Sequence, residues 1–314
     1  MNENDWKTQV GNTKKKNDYI KVAGGVACFV LAAFLLIAYA PRFFTKVEEE
    51  VVTAPKPNVY EGVKLSAKAA VVYDLTTGEV LFAHNAEAQL PLASLTKLVT
   101  VYASAEVMGD GVVSITAESL APEGDTGFTV GQTFTYTELA KLAMVGSSND
   151  AAEAIALSAE KRYAKQGSLM AGAISALGLT QTYVTNGTGL DQTTSLSGGY
   201  GSAFDIAVLA GAFLQRIPEV AKATTLSSIT TTSREGKSYT LKNTNPDAET
   251  ISGLMLSKTG YTDLAGGNLA IVYDAGIRHP IAIVVLGSTK DERFLDVYNL
   301  VRATGKYFSA TQLP

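Results

Sequence analysis

Residues 91–100 read PLASLTKLVT, and this stretch carries the first chemical signal of the chain. A helical pattern begins at Ser94, with apolar residues at positions 95, 98, 99 and 102. Because residues three apart share one face of a helix, the Lys97 amine is expected to reach the Ser94 hydroxyl. A lysine can serve as base for a serine nucleophile when burial or a second cation lowers its pKa. The spacing therefore predicts Ser94 as nucleophile and Lys97 as base, although a lone Ser-x-x-Lys usually marks a solvated helix face.

A second motif, Ser147-Ser148-Asn149, lies between two helical patterns. Taken alone it is typical of a helix N-cap, because serine and asparagine accept hydrogen bonds from the first free amides of a helix. The functional alternative is a loop that presents the Ser147 hydroxyl and the Asn149 amide to a cleft.

A third motif, Lys258-Thr259-Gly260, ends a strand-like run and is followed by Tyr261. Taken alone it indicates a strand end with a turn glycine. In a functional site, Lys258 and Thr259 would bind a terminal carboxylate, and Gly260 would let the substrate backbone approach the strand edge. Lys258 would also be the second cation that lowers the pKa of Lys97.

The three motifs together, in this order, are the set described for serine penicillin-recognising enzymes. The chain resembles the low-molecular-mass penicillin-binding proteins of the D-alanyl-D-alanine carboxypeptidase family. The resemblance runs from about residue 69 to residue 307 and includes PLASLTKLVT, GSSNDAA, TNGTGLD, GYGSAFDIAVLA, LKNTN and LSKTGYTDLAGGNLA. It implies a carboxypeptidase that acts on peptidoglycan stem peptides ending in D-Ala-D-Ala and is inhibited by β-lactams.

The resemblance also assigns roles to the motif residues. Ser94 would be acylated by the penultimate D-alanine carbonyl with Lys97 as base, and Ser147 and Asn149 would complete the proton path. The terminal carboxylate would be received by Lys258 and Thr259. The oxyanion hole would be formed by the backbone amides of Ser94 and Tyr261. Many family members carry a further β-rich domain with a C-terminal anchor, and in this chain an N-terminal helix is expected to replace that anchor.

The periodicity of the remaining chain indicates strands at both ends and helices in the middle. Strands are predicted at residues 69–74, 80–82, 254–258, 268–273 and 281–286, and helices at residues 94–108, 136–144, 150–161, 169–177, 203–214 and 291–307. This order predicts an α+β domain whose terminal strands form one antiparallel sheet with helices packed on it. The resemblance implies the β-lactamase/transpeptidase-like version of that fold.

The N-terminal segment predicts a membrane anchor. Residues 22–40 contain no charged side chain and are long enough to cross a hydrocarbon core of about 30 Å. Lysines dominate before this stretch, so the tail should stay in the cytoplasm and the rest should lie outside the bacterial membrane. A cleaved signal peptide is the alternative, because Ala38-Tyr39-Ala40 resembles a cleavage site. The predicted organisation is a tail (1–21), a transmembrane anchor (22–40), a linker (41–64) and a catalytic domain (65–314).

Composition excludes several other classes of function. A net charge of -4 and a pI near 5.4 argue against a nucleic-acid partner, which would require a basic surface. The single cysteine, Cys28, lies in the apolar segment, and two histidines are too few for a zinc cluster. We therefore predict no metal and no cofactor.

Three alternatives compete with the carboxypeptidase. A class A β-lactamase shares the motifs but needs a deacylating glutamate, and the acids after Asn149 (Asp150, Glu153 and Glu160) lie in a predicted helix rather than in a Glu-x-x-Leu-Asn-like loop. For a Ser-His-Asp hydrolase, neither His84 nor His279 lies in a motif with an acid partner. A non-catalytic muropeptide-binding scaffold would be distinguished by loss of a motif residue. Endopeptidase or transpeptidase preference and oligomeric state stay open.

Overall fold

An antiparallel sheet of five strands organises the fold, in a computed structural model that describes residues 58–124, 126–163, 167–276 and 278–311. The strands are β1 (Ala69–Asp74), β2 (Val80–His84), β3 (Leu90–Pro91), β4 (Val112–Ser114), β5 (Thr133–Thr135), β6 (Tyr183–Val184), β7 (Gly199–Gly201), β8 (Ser228–Thr232), β9 (Ser238–Lys242), β10 (Leu254–Thr262), β11 (Gly266–Asp274) and β12 (Pro280–Ser288). The helices are a 3-10 turn (Ala93–Leu95), α1 (Thr96–Met108), α2 (Tyr136–Val145), α3 (Asn149–Arg162), α4 (Leu169–Ala176), α5 (Ala203–Arg216), α6 (Pro218–Ala223) and α7 (Glu292–Thr311).

The main sheet has the strand order β10-β11-β12-β1-β2, so the N-terminal hairpin pairs with the C-terminal strands. Every neighbouring pair is antiparallel. This confirms the α+β class and the sheet that was predicted from both ends of the chain. Strand β10 lies at one edge of the sheet, and the third motif is part of that edge strand.

Strand β12 shows why the sheet is covered on both faces. Successive side chains of a strand point to opposite faces. Ala282 and Val284 pack in the core that contains the helical region, whereas Ile281 and Ile283 pack in a second core with α7. The central strands are therefore almost continuously apolar rather than alternating, and the helical region and α7 lie on opposite faces of the sheet.

Helix α1 passes through the middle of the helical region. Its buried positions include polar residues, Lys97 and Thr100, as well as Leu98 and Val101. A helix that is buried on most of its circumference lies inside a core rather than on a surface. The first motif therefore does not lie on the solvated face that a lone Ser-x-x-Lys would suggest.

The folded part begins earlier than the predicted boundary at residue 65. Tyr60 is only 7% exposed, its hydroxyl lies 3.0 Å from Thr304 Oγ1, and its ring packs against Phe82. Residues 58–64 thus pack on the folded domain, whereas the sequence places them in the linker. The predicted tail, transmembrane anchor and most of the linker lie outside the described residues. Among the residues that are described, no helix is both long enough and apolar enough to cross a bilayer.

Several short elements were not predicted. The hairpin β8–β9, the helix α6 and the two-residue and three-residue strands lack a long apolar repeat. In β8 the buried positions are Ile229 and Thr231, which alternate with exposed serine and threonine residues. Because half of the buried pair is polar, the period-2 signal is weak in the sequence.

Candidate active site

The 3-10 turn that carries Ser94 is held by close backbone contacts on two sides. Ala93 has a φ of +47°, a left-handed conformation that is unfavourable for a residue with a Cβ and persists only where its surroundings enforce it. A Cβ built at Gly189 would lie 1.9 Å from the Ala93 carbonyl oxygen. A Cβ built at Gly260 would lie 2.8 Å from the Leu92 carbonyl oxygen. The absence of a side chain at these two positions lets the surrounding backbone hold the nucleophile.

The Lys97 amine is fully buried and has three neutral oxygen neighbours. Its Nζ lies 2.9 Å from Ser94 Oγ, 2.7 Å from Asn149 Oδ1 and 2.8 Å from the Thr188 carbonyl oxygen. Amide and peptide carbonyl oxygens only accept hydrogen bonds, so they take two N–H groups of the amine. An uncharged amine then directs its lone pair at the Ser94 hydroxyl, which is the arrangement that a base requires.

Burial lowers the pKa of Lys97 to about 7, and the Glu153 carboxylate opposes that decrease. A charged amine loses its hydration in the core, so the neutral form is favoured there. A substantial fraction of Lys97 is therefore uncharged near neutral pH and able to take a proton.

Lys258 approaches the same cleft from the edge strand β10. Its Nζ donates to Ser147 Oγ at 2.9 Å and to the Thr259 carbonyl oxygen at 2.8 Å. Burial, then the charge of Lys97, then that of Arg293 lower the pKa of Lys258 well below its ordinary value. Burial is the largest cause of the pKa decrease at both amines, and Lys97 and Lys258 lie close enough for the charge of one to disfavour the charge of the other.

The three neighbouring residues of the second motif make different contacts. Ser148 is the N-cap of α3 and accepts a hydrogen bond from the amide of Ala151. Ser147 adopts a left-handed backbone with a φ of +58°, and its hydroxyl meets Lys258. Asn149 begins α3, accepts from Lys97 and donates from Nδ2 to the Glu123 carbonyl oxygen. The motif therefore combines the N-cap with the loop that presents the Ser147 hydroxyl and the Asn149 amide to Lys258 and Lys97.

Gly260 has a different neighbour from the one expected. The prediction reserved this position for close approach of the substrate backbone, whereas a Cβ here would meet the Leu92 carbonyl oxygen and the Ser94 amide nitrogen, at 2.8 and 3.2 Å. The glycine therefore lets the edge strand pack against the 3-10 turn. Tyr261, the next residue, is 46% exposed at the rim. The oxyanion-hole roles of the Ser94 and Tyr261 amides remain a prediction.

Sequence reasoning missed three residues that contact the motifs. Thr188 offers its carbonyl oxygen to Lys97, and Thr244 Oγ1 accepts from Thr259 Oγ1 at 2.6 Å. Both lie in segments quoted for the resemblance, TNGTGLD and LKNTN, which was a signal that could have found them. Arg293, on α7, is 7% exposed and donates to the Gly260 carbonyl oxygen at 2.7 Å. No motif marked Arg293.

His279 has an acid partner, contrary to the expectation from the sequence. Its Nε2 lies 2.6 Å from Asp74 Oδ2, where the β1–β2 and β11–β12 turns meet. Burial raises the pKa of Asp74, but the bond to His279 and backbone amides outweigh it, so that pKa is lowered overall. The pair stabilises the junction of the turns, while the neighbour of Ser94 that can act as a base is Lys97. Within the described part of the chain, no cluster of three or more His, Cys, Asp or Glu side chains could hold a metal ion.

Comparison with known families identifies this arrangement. The model of peptidase family S11, described as D-alanyl-D-alanine carboxypeptidase, matches residues 51–290. The chain belongs to this family. Its members are serine peptidases, the class that the pairing of Ser94 with the buried Lys97 predicts.

Relatives of this S11 peptidase are similar in sequence along most of its length. The D-alanyl-D-alanine carboxypeptidase DacF of Bacillus subtilis is 28% identical over 87% of this chain and 68% of its own length. The carboxypeptidase DacD of Escherichia coli is 29% identical over 90% of this chain and 73% of its own length.

A solved structure shares the fold. Penicillin-binding protein D2 of Listeria monocytogenes, in its cefotaxime-bound form, is 26% identical with a TM-score of 0.64, over 76% of this chain and 97% of that one.

Proposed function

We propose that this S11 peptidase is a serine D-alanyl-D-alanine carboxypeptidase, which removes the terminal D-alanine from peptidoglycan stem peptides through an acyl-enzyme on Ser94. One observation carries the proposal: a buried amine with a pKa near 7 lies 2.9 Å from a half-buried serine hydroxyl. This pairing supplies both a nucleophile and a base with suitable proton affinity at neutral pH.

The acylation step uses the groups described above. Lys97 Nζ takes the proton of Ser94 Oγ as that oxygen attacks the carbonyl carbon of the penultimate D-alanine. The proton then passes to the nitrogen of the terminal D-alanine, either directly or through Ser147, and the C–N bond breaks. The terminal D-alanine leaves as the free amino acid, and the rest of the peptide stays as an ester on Ser94. Water then attacks the ester and restores the hydroxyl.

The terminal carboxylate of the substrate would be received by Lys258 and Thr259. In the free enzyme the burial of Lys258 disfavours its charged form. An arriving carboxylate favours the charged form, so substrate binding would draw a proton onto Lys258. The hydroxyl of Thr259 would then turn from Thr244 toward the carboxylate.

Covalent labelling with a fluorescent penicillin tests the proposal. The wild-type protein should be labelled stoichiometrically, and Ser94→Ala should not be labelled. Mass spectrometry of a defined pentapeptide muropeptide should show loss of one D-alanine. An unlabelled wild-type protein would favour the scaffold alternative, and rapid multiple turnover of nitrocefin would favour the β-lactamase.

We also propose that the domain is held at the outer face of the bacterial membrane by residues 22–40. The support is the uncharged stretch and the lysines before it. Intact mass of the protein recovered from washed membranes distinguishes the uncleaved anchor from a signal peptide cleaved after residue 40.

A further inference from the structure

Glu153 is a half-buried acid that the acylation mechanism above does not use. It lies on α3 four residues after Asn149, and therefore on the same face of the helix. Asn149 contacts the amine of Lys97 directly. The position of Glu153 thus places a carboxyl group one helical turn from a partner of the base.

The carboxylate of Glu153 holds the loop that supplies another partner of Lys97. The backbone N–H of Gly187 donates to it. The Gly187 carbonyl oxygen accepts from Thr100 Oγ1 at 2.8 Å, and the next carbonyl oxygen, that of Thr188, accepts from Lys97 at 2.8 Å. One short peptide segment is therefore bound by both α1 and α3, with Glu153 at one end and the base at the other.

The loop has little freedom to move away from these contacts. A Cβ built at Gly187 would lie 2.7 Å from Ala156 Cβ and 3.3 Å from Glu153 Oε2, so the loop packs directly on α3. Loss of the Glu153 hydrogen bond would leave a backbone amide without its acceptor in a packed region.

Glu153 is also a source of negative charge for Lys97. The immediate oxygen neighbours of the amine are neutral. The titratable groups that act on this cluster are Glu153 from α3, Lys258 from β10, Arg293 from α7 and Glu118 from the segment after β4. The Glu153 carboxylate favours the charged form of Lys97, and burial together with Glu118 raises the pKa of Glu153 itself. When Lys97 takes the Ser94 proton, it becomes an ammonium ion that this carboxylate can stabilise.

We propose that Glu153 is a positioning residue for the reaction, which holds the 187–188 segment against Lys97 and offers a carboxylate to the ammonium form of that amine. The inference rests on the proposed function, because it requires Lys97 to act as the base in acylation. Neither the Ser-x-x-Lys nor the Ser-x-Asn motif includes this position.

The test compares pH profiles of penicillin acylation in the full chain. Glu153→Gln keeps an acceptor for the Gly187 amide and removes the charge. We expect the acid limb of its pH profile to move to lower pH by about 0.5 unit. At a pH on that limb, the acylation rate, expressed as a fraction of the variant's own plateau rate, should be roughly threefold higher than in the wild type. Glu153→Asp retains the charge and should keep the wild-type limb. The matched control is Glu160→Gln, which removes the same charge from α3 at a site that contacts Ser168 and Leu169 instead.

The outcomes separate the two proposals. Acylation of wild-type protein with an unchanged limb in Glu153→Gln overturns the role of Glu153 and leaves the carboxypeptidase assignment intact. An equal shift in Glu160→Gln also overturns it, because the effect would then come from net charge alone. If the wild-type protein is not acylated at all, the proposed function itself fails. Should Glu153→Gln not fold, Glu153→Ala decides, since an acid limb identical to that of the wild type overturns the role.

Discussion

At the scale of the single residue, the burial of Lys97 makes acylation depend on pH. Only the uncharged amine can take the Ser94 proton, and its pKa is lowered to about 7. We expect the second-order rate of penicillin acylation to rise with pH through this value and then level off. Below it, each unit of pH should reduce the rate about tenfold. A profile that stays flat between pH 5.5 and 8 would contradict Lys97 as the base.

The same burial affects stability in a direction that can be worked out. The pKa of Lys97 falls from 10.5 to about 7 in the folded protein, so between these values the unfolded chain binds more protons. The free energy of unfolding should therefore rise with pH across this window, by at most about 1.4 kcal/mol per pH unit from Lys97. Below pH 7 this contribution should be constant and unfavourable.

Lys97→Met tests this contribution because it removes the titrating amine at similar length. The variant should not be acylated. The free energies of unfolding of variant and wild type are compared by urea denaturation. The advantage of the variant over the wild type should be greatest at pH 7 and below, and it should decrease as the pH rises to 9. A difference that does not change with pH would show that the amine keeps an ordinary pKa.

At the scale of the element, edge strand β10 and the 3-10 turn are matched to each other through Gly260. An added methyl group would lie 2.8 Å from the Leu92 carbonyl oxygen, and this backbone is packed, so strand and turn must separate. We expect Gly260→Ala to slow penicillin acylation at least about tenfold, since small displacements of reacting groups have large effects on rate.

Gly305→Ala is the matched control for that substitution. Gly305 lies within α7, and a Cβ there would meet no atom within 4 Å. The variant should keep the wild-type acylation rate and gain about 0.5–1 kcal/mol in unfolding free energy, because alanine loses less entropy in a helix. Equal acylation by both glycine variants would mean that the contact with Leu92 is unimportant.

At the scale of the whole molecule, residues 58–64 belong to the catalytic domain rather than to the linker. Tyr60 is 7% exposed and connects the start of the domain to α7 through Thr304. A chain that begins at residue 65 should therefore be less stable than one that begins at residue 58, by about 2–4 kcal/mol from the lost aromatic burial. Thermal unfolding of the two fragments checks this. The Tyr60→Phe variant of the longer fragment loses only the hydroxyl, so its melting temperature should lie between those of the two fragments.

Much of the fold could be predicted from the sequence because its signals are local. The hairpin at residues 69–84 follows from two apolar runs on either side of a Thr-Thr-Gly turn, and the helix after Ser94 follows from 3.6-residue periodicity. The convergence of three distant motifs could be expected only from the set as a whole, since each has an ordinary structural explanation alone.

The remaining features depend on contacts between distant parts of the chain. Thr188 contributes a backbone carbonyl, so only the resemblance of the segment TNGTGLD, and not the Thr188 side chain, could have indicated its contact with Lys97. Arg293 lies on α7 and donates to the Gly260 carbonyl oxygen. The apolar periodicity of that helix predicts which of its faces is buried, but it does not predict a contact made by one of its polar residues. The extent of the Lys97 pKa decrease could not be predicted, because it depends on how completely α1 is surrounded.

The left-handed Ala93 between Gly189 and Gly260 limits how the enzyme could evolve resistance to penicillins. An antibiotic and a stem peptide must use one and the same serine, presented by one rigid backbone. Mutations that shift this backbone would harm cell-wall processing as much as drug capture. Selective escape would have to arise at exposed positions such as Tyr261, where a bulky bicyclic drug and an extended peptide need not make the same contacts.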